Sequence, residues 1–164
     1  MKSHTGGATS FGRGILCSKS SKQKLNTKSS TEAELVGFSD FLPYPLWFLF
    51  FLKHQGYDLS ENIIFQDNQS AIRLKKNGRN SCTGNSRHID IKYFFVKDRI
   101  ENGEVSVSYC PTLSMLADFY TKAVQGGLFT KFRNVLMRYG SIDALLKPTV
   151  SAFEERVGKD KEGY

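Results

Sequence analysis

The chain has 164 residues, 40% of them hydrophobic and 13% aromatic, which suits one domain with a buried core and excludes wholesale disorder. Its formal net charge is +7, and residues 1–31 hold six Lys or Arg and no acid. That bias fits a polyanion partner, most often nucleic acid, although a basic solvated surface would look the same. Cys17, Cys82 and Cys110 form no CxxC pair, so a disulfide framework or a cysteine zinc site has no support and a reducing, intracellular compartment, cytoplasmic or nuclear, is expected.

Ala8–Phe11 and Ile15–Cys17 are β-compatible around Gly12-Arg13-Gly14, which suits a tight reversal. Residues 18–28 are Ser/Lys-rich and read as a loop. Ser29-Ser30-Thr31 offers helix caps, with Glu32 and Glu34 in the first turn, and a helix is expected from about Thr31 to His54, kinked at Pro43 and Pro45. The apolar run Leu46–Leu52 within it falls well short of the roughly 20 residues a spanning helix needs, so it reads as a core helix and no membrane role is expected. The N-terminus is polar and Gly-rich, unlike a secretory signal.

Asn62–Gln66 reads as a buried strand with Asp67 at its end, followed by a short amphipathic helix over Ser70–Lys76 and a polar loop over 77–86. Ile89, Tyr93, Val96 and Ile100 recur at helical spacing, so a helix spans 87–102 and closes at Asn102-Gly103. Val105, Val107 and Tyr109 alternate with serines as a half-exposed strand that Pro111 stops. Leu113–Met137 is expected to be helical, with a break at Gly126-Gly127. This alternation predicts an α/β domain with a mixed sheet over residues 1–146 and a charged, frayed tail over 147–164.

Three acids fall where chemistry is usually placed. Asp67 ends an apolar strand, Glu34 lies in the first turn of the long helix, and Asp118 lies near the start of the last helical region. Carboxylates gathered from separate elements make a hard-oxygen cage for Mg²⁺, and two such ions can clamp a phosphodiester. Taken singly, each also has a structural reading: Glu34 as a first-turn acid, Asp67 as a helix cap. Histidines 4, 54 and 88 show no metal-binding spacing.

Four segments add to that reading. Ser21-Lys22-Gln23-Lys24 with Ser29-Ser30-Thr31-Glu32-Ala33-Glu34-Leu35, then Asp67-Asn68-Gln69-Ser70-Ala71, then Arg87-His88-Ile89-Asp90, and last Cys110-Pro111-Thr112 with Leu116-Ala117-Asp118 and Thr121-Lys122, resemble in order the ribonuclease H domain of copia-type retrotransposon polyproteins. The resemblance covers residues 3 to about 137. It implies a ribonuclease H-like fold and two-metal, Mg²⁺-dependent hydrolysis of the RNA strand of an RNA–DNA hybrid. The implied metal ligands and catalytic residues are Glu34 (with Glu32 as the alternative on the same turn), Asp67 and Asp118. A nucleic-acid face would comprise Lys19, Lys22, Lys24, Lys28, Arg79 and Arg87, and the remainder of the polyprotein would be the partner.

There are departures from the family pattern. The family's first, central strand carries a further aspartate, upstream of the segment that Lys2–Gly6 resembles, and the sequence as given starts there. The expectation is therefore a truncated domain lacking that strand, with weakened metal binding and no activity; a non-catalytic nucleic-acid-binding remnant, or a gene-model fragment without selected function, is the alternative. Ala123 replaces a usual proline, and Phe48 and Leu49 stand where relatives tend to be polar.

Overall fold

The computed structural model describes residues 3–12, 14–59, 61–69, 72, 87–142 and 145, with the backbone alone at Arg87 and His88. The expected helix at Ser70–Lys76, the loop over 77–86 with Arg79, and the tail over 147–164 lie largely or wholly outside these residues. Strands β1 (His4–Thr9) and β2 (Cys17–Lys22) form an antiparallel hairpin, with His4 opposite Lys22 and Thr9 opposite Cys17. Residues 18–22, expected to be loop, are therefore strand. Pairing along the whole of β1 outweighs their Ser/Lys composition, and alternation turns Ser18, Ser20 and Lys22 to solvent. The turn between them carries Gly12 and Gly14 at φ of 94° and 80°, values open to glycine at little cost.

Helix α1 (Ser30–Phe41) begins at a reciprocal cap. The Ser29 hydroxyl accepts from the Glu32 backbone N–H at 3.1 Å, and the Glu32 carboxylate accepts from the Lys28 N–H at 2.7 Å. The expected kink falls at Leu42, which keeps helical φ and ψ of −50° and −36° between the end of α1 and α2 (Pro43–His54); Pro43 has no N–H to continue the ladder of the preceding helix. Taken together, Ser30–His54 is long and apolar enough to cross a membrane by length and composition. Here Leu35, Phe38, Leu42 and Leu46 instead pack into the core. On α2, Leu46 and Leu49 are buried, while Trp47, Phe50 and Phe51 face outward.

Strand β3 (Ile63–Gln66) lies parallel to β4 (Ser106–Tyr109), with Ile63 opposite Ser106 and Gln66 opposite Tyr109. Between them runs α3 (Arg87–Glu101), closed by Gly103 at φ 68° with Glu104 N–H bonded to Arg99 O. After β4 the expected long helix is absent. Two 3₁₀ turns, Thr112–Ser114 and Leu116–Tyr120, precede α4 (Gly126–Leu136). The bonds Met115 N to Thr112 O, Asp118 N to Met115 O and Thr121 N to Asp118 O all span three residues, and Met115 and Asp118 are both buried.

The architecture is mixed α/β, as expected. Among the described residues, however, the strands form two separate two-stranded sheets, β1–β2 and β3–β4, rather than one mixed sheet. The main core joins Leu35, Phe38, Leu42 and Leu46 to Ile89, Tyr93 and Val96 of α3 and to Val105 and Val107 beside and within β4. Leu35 has no exposed surface, whereas Tyr139 is 83% exposed. Leu35→Ala is therefore expected to cost about 2–5 kcal/mol in urea unfolding, against no more than about 0.5 kcal/mol for Tyr139→Ala. Equal effects would contradict this core.

Candidate functional site

The three acids come from three separate elements. Glu34 projects from α1, Asp67 directly follows β3, and Asp118 sits in the second 3₁₀ turn. All three line one cavity of about 960 Å³ between β1, α1, β3 and the 3₁₀ segment. Glu32, the alternative to Glu34, is engaged in the cap of α1 and does not line that cavity.

Each acid has a different setting. Glu34 is exposed, and one of its carboxylate oxygens accepts from the side-chain amide of buried Gln66 at 2.8 Å. Asp118 is 8% exposed and accepts from the Lys122 ammonium at 2.8 Å. Asp67 is half-buried.

Two neighbours report how close the charges lie. Burial raises the Cys110 thiol pKa to about 11, helped by the negative charges of Asp67 and Asp118 and opposed by Lys131. On Lys122, burial works to lower the pKa. The Asp118 hydrogen bond and the charges of Asp118, Asp67 and Glu34 outweigh it, so the net shift is upward. One ammonium thus feels all three carboxylates. Gln66, Cys110 and Lys122 were not among the sequence-derived candidates. Only Lys122, four residues after Asp118, had a readable signal in an i,i+4 acid–base spacing.

The donor chemistry suits Mg²⁺, which takes carboxylate oxygens. The arrangement does not: among the described residues no three His, Cys, Asp or Glu side chains are grouped to hold a metal. The Gln66 amide and the Lys122 ammonium already occupy oxygens of Glu34 and Asp118.

The basic residues divide similarly. Lys19 is drawn inward, its ammonium 3.3 Å from Asp40 O and 5.2 Å from the Tyr44 ring centre. Lys22, Lys24 and Lys28 are exposed on β2 and the segment leading to α1. Arg87 begins α3.

The chain is similar to the retrovirus-related Pol polyprotein from transposon TNT 1-94 of Nicotiana tabacum, with 30% identity over 128 residues, 78% of this chain and 10% of the relative. It is also 31% identical over 114 residues to the corresponding polyproteins from transposons RE2 and RE1 of Arabidopsis thaliana, covering 69% of this chain and 8% of each relative. The chain thus spans about a tenth of the length of these curated relatives. No protein-family model and no solved structure matches it. Its homologues are Pol polyproteins of copia-type transposons, and these similarities support a retroelement-derived domain.

The electrostatic grouping is testable by NMR titration of Lys122. Its pKa should fall most in Asp118→Asn, less in Asp67→Asn and least in Glu34→Gln; an unchanged pKa in all three would refute it. A second test follows from Cys110, whose folded-state pKa lies above its unfolded value. The stability it contributes is full below about pH 8.5, the ordinary thiol pKa, and is lost as pH rises through about 11. In a chain carrying Cys17→Ser and Cys82→Ser, alkylation of Cys110 at pH 8.5 should be at least about tenfold slower folded than in urea.

Proposed function

We propose that this chain is a ribonuclease H-like domain of a copia-type retroelement polyprotein, with Glu34, Asp67 and Asp118 as its acidic residues and the RNA strand of an RNA–DNA hybrid as its substrate. The supporting observation is that three carboxylates from three separate elements line one cavity, coupled to one ammonium. Acids so placed are costly unless a cation is at hand. In the arrangement described, that cation is Lys122.

The same observation leads us to expect no cleavage by the 164-residue chain on its own. Gln66 and Lys122 engage two of the three acids, and the described side chains form no metal-holding group. Mg²⁺ would have to displace Lys122 and draw the acids together before they could serve as its ligands.

A second reading, a nucleic-acid-binding domain without turnover, is favoured by the exposed Lys22, Lys24 and Lys28 in a segment without acids up to residue 31. Neutralising such residues should weaken binding across sequences and flatten its salt dependence.

The test is a labelled RNA–DNA hybrid incubated with the chain in Mg²⁺, alongside Asp67→Asn and a gel-shift assay. We expect hybrid binding that weakens with salt and no cleavage. Cleavage that Asp67→Asn abolishes would overturn the expected inactivity and support the three acids as a working site. Absence of both binding and cleavage would sink both readings.

A further inference from the structure

Away from the acids, α1 and α2 carry an aromatic row with a gap in it. Phe41, Tyr44, Trp47 and Phe51 follow one another at helical steps of three or four residues, the spacing that puts neighbours on one face. They form two stacked pairs. Phe41 and Tyr44 lie 5.6 Å apart between ring centres at 25°, and Trp47 and Phe51 lie 5.1 Å apart at 7°. Among the described residues no ring contact joins Tyr44 to Trp47. Between the pairs opens a slot of about 420 Å³, lined by Cys17 of β2 and by Pro43, Tyr44, Trp47 and Phe48. Phe51 stacks on one face of Trp47 and does not line the slot, so the slot lies against the other face. Trp47 is 59% exposed and Tyr44 41%.

The surroundings of the slot are basic. Its lining comes from residues 1–31 and 41–57, and neither segment contains an Asp or Glu. Lys19 lies two residues from Cys17 on β2, which places both on the same side of the strand. Its ammonium is 5.2 Å from the Tyr44 ring centre and 3.3 Å from the Asp40 carbonyl oxygen. Among the described residues both of those partners are uncharged groups. The Asp40 carboxylate pairs with Lys92 of α3.

We propose that this slot is a binding site for one unpaired nucleobase of a single-stranded nucleic acid, stacked on the open face of Trp47, with Tyr44 as the opposite wall and Lys19 beside the adjoining phosphate. A flat ring placed there joins the two aromatic pairs into one stack. The volume of about 420 Å³ falls within the range for small-molecule sites, roughly 300–1,000 Å³. Aromatic platforms flanked by positive charge are the general means of holding single strands, because every base has a π face. The slot has few polar groups to read a base edge, so its binding is indifferent to sequence. A duplex keeps its bases stacked inside, and the slot therefore selects single strands over the hybrid assigned to the acids. The inference takes its partner class from the nucleic-acid reading above and adds a site separate from the carboxylates. A second copy of the chain would bring a like charge of +7 to this face.

Trp47 is the single tryptophan of the chain, so its fluorescence reports on the slot directly. Oligothymidylate of about ten nucleotides, within the span of single-strand sites, should quench it to saturation. An oligomer of equal length and charge but without bases should bind at least about fivefold more weakly and leave the fluorescence unchanged. Tyr44→Ala should weaken oligothymidylate binding at least about fivefold, and Tyr44→Phe should retain it. Phe50→Ala, exposed but outside the slot, should have no effect. Lys19→Gln should reduce the salt slope by about one charge. Equal binding of the oligomer without bases, or an unchanged Tyr44→Ala, would reduce the site to phosphate contacts and overturn the proposal. Vesicles of anionic phosphatidylglycerol that shift Trp47 to the blue, with no response to oligothymidylate, would make the occupant a lipid surface. A Trp47 spectrum that changes with protein concentration alone would make it a second copy. Gel shift of the RNA–DNA hybrid, run alongside, separates the two readings. Hybrid binding without quenching by oligothymidylate sinks the slot alone, and absence of both sinks the nucleic-acid reading as well.

Discussion

Helix α1 carries the connection between two two-stranded sheets that, among the described residues, share no backbone hydrogen bond. A two-stranded sheet is marginal by itself in water, so neither β1–β2 nor β3–β4 can supply its own stability. The buried face of α1 meets both sides of the molecule. Phe41 closes over Gly7 of β1, while Leu35, Phe38 and the following Leu42 join the core built with α3 and β4. Lys92 of α3 pairs with Asp40 of α1 along the same contact. A second, smaller bridge runs through the 3₁₀ turn, where the Ser20 hydroxyl donates to Tyr120 O at 2.7 Å and Gly6 lies against Ala117 and Thr121. Glycine at positions 6 and 7 is what lets these two layers close on β1, because a side chain at either would collide with what covers it.

The acidic site follows from those bridges. Glu34 rides on α1, Asp118 on the 3₁₀ turn and Asp67 on the end of β3, so their separation depends on how the two sheets are held. Lys122 compensates part of the negative charge, Gln66 satisfies Glu34, and Cys110 stays a neutral thiol under burial and two nearby carboxylates. Such an arrangement is consistent at neutral pH as it stands, with each carboxylate either paired, hydrogen-bonded or partly solvated.

The aromatic surface of α2 has a more local account. Trp47 stacks on Phe51 at 5.1 Å between ring centres, and Phe48 meets Phe11 edge-on at 5.8 Å. These contacts cover some of the apolar surface that a helix rich in large side chains leaves outside. The Phe11–Phe48 contact also ties the hairpin turn to α2. The departure from a polar helix surface at Phe48 and Leu49 therefore divides in two: Leu49 is buried, and Phe48 is half-covered by its neighbours.

Much of this was legible from local rules. Ser29 and Glu32 mark the start of α1, Pro43 its end, Gly103 the end of α3, and period-two alternation marks β4; in each the deciding interaction lies within a few residues along the chain. The three acids were legible as candidates for the same reason, since each sits at the end of a recognisable element. Tertiary contacts decided the rest. The polar segment Cys17–Lys22 becomes a strand only because β1 offers it a ladder, and the segment expected as one long helix instead forms 3₁₀ turns in which Asp118 is buried. The partnerships of Glu34 with Gln66 and of Asp118 with Lys122 and Cys110 depend on distances that the tertiary structure sets. Composition and periodicity describe one element at a time, so they determined which pieces this chain would form, and only the packing of α1 against both sheets determined how far apart those pieces stand.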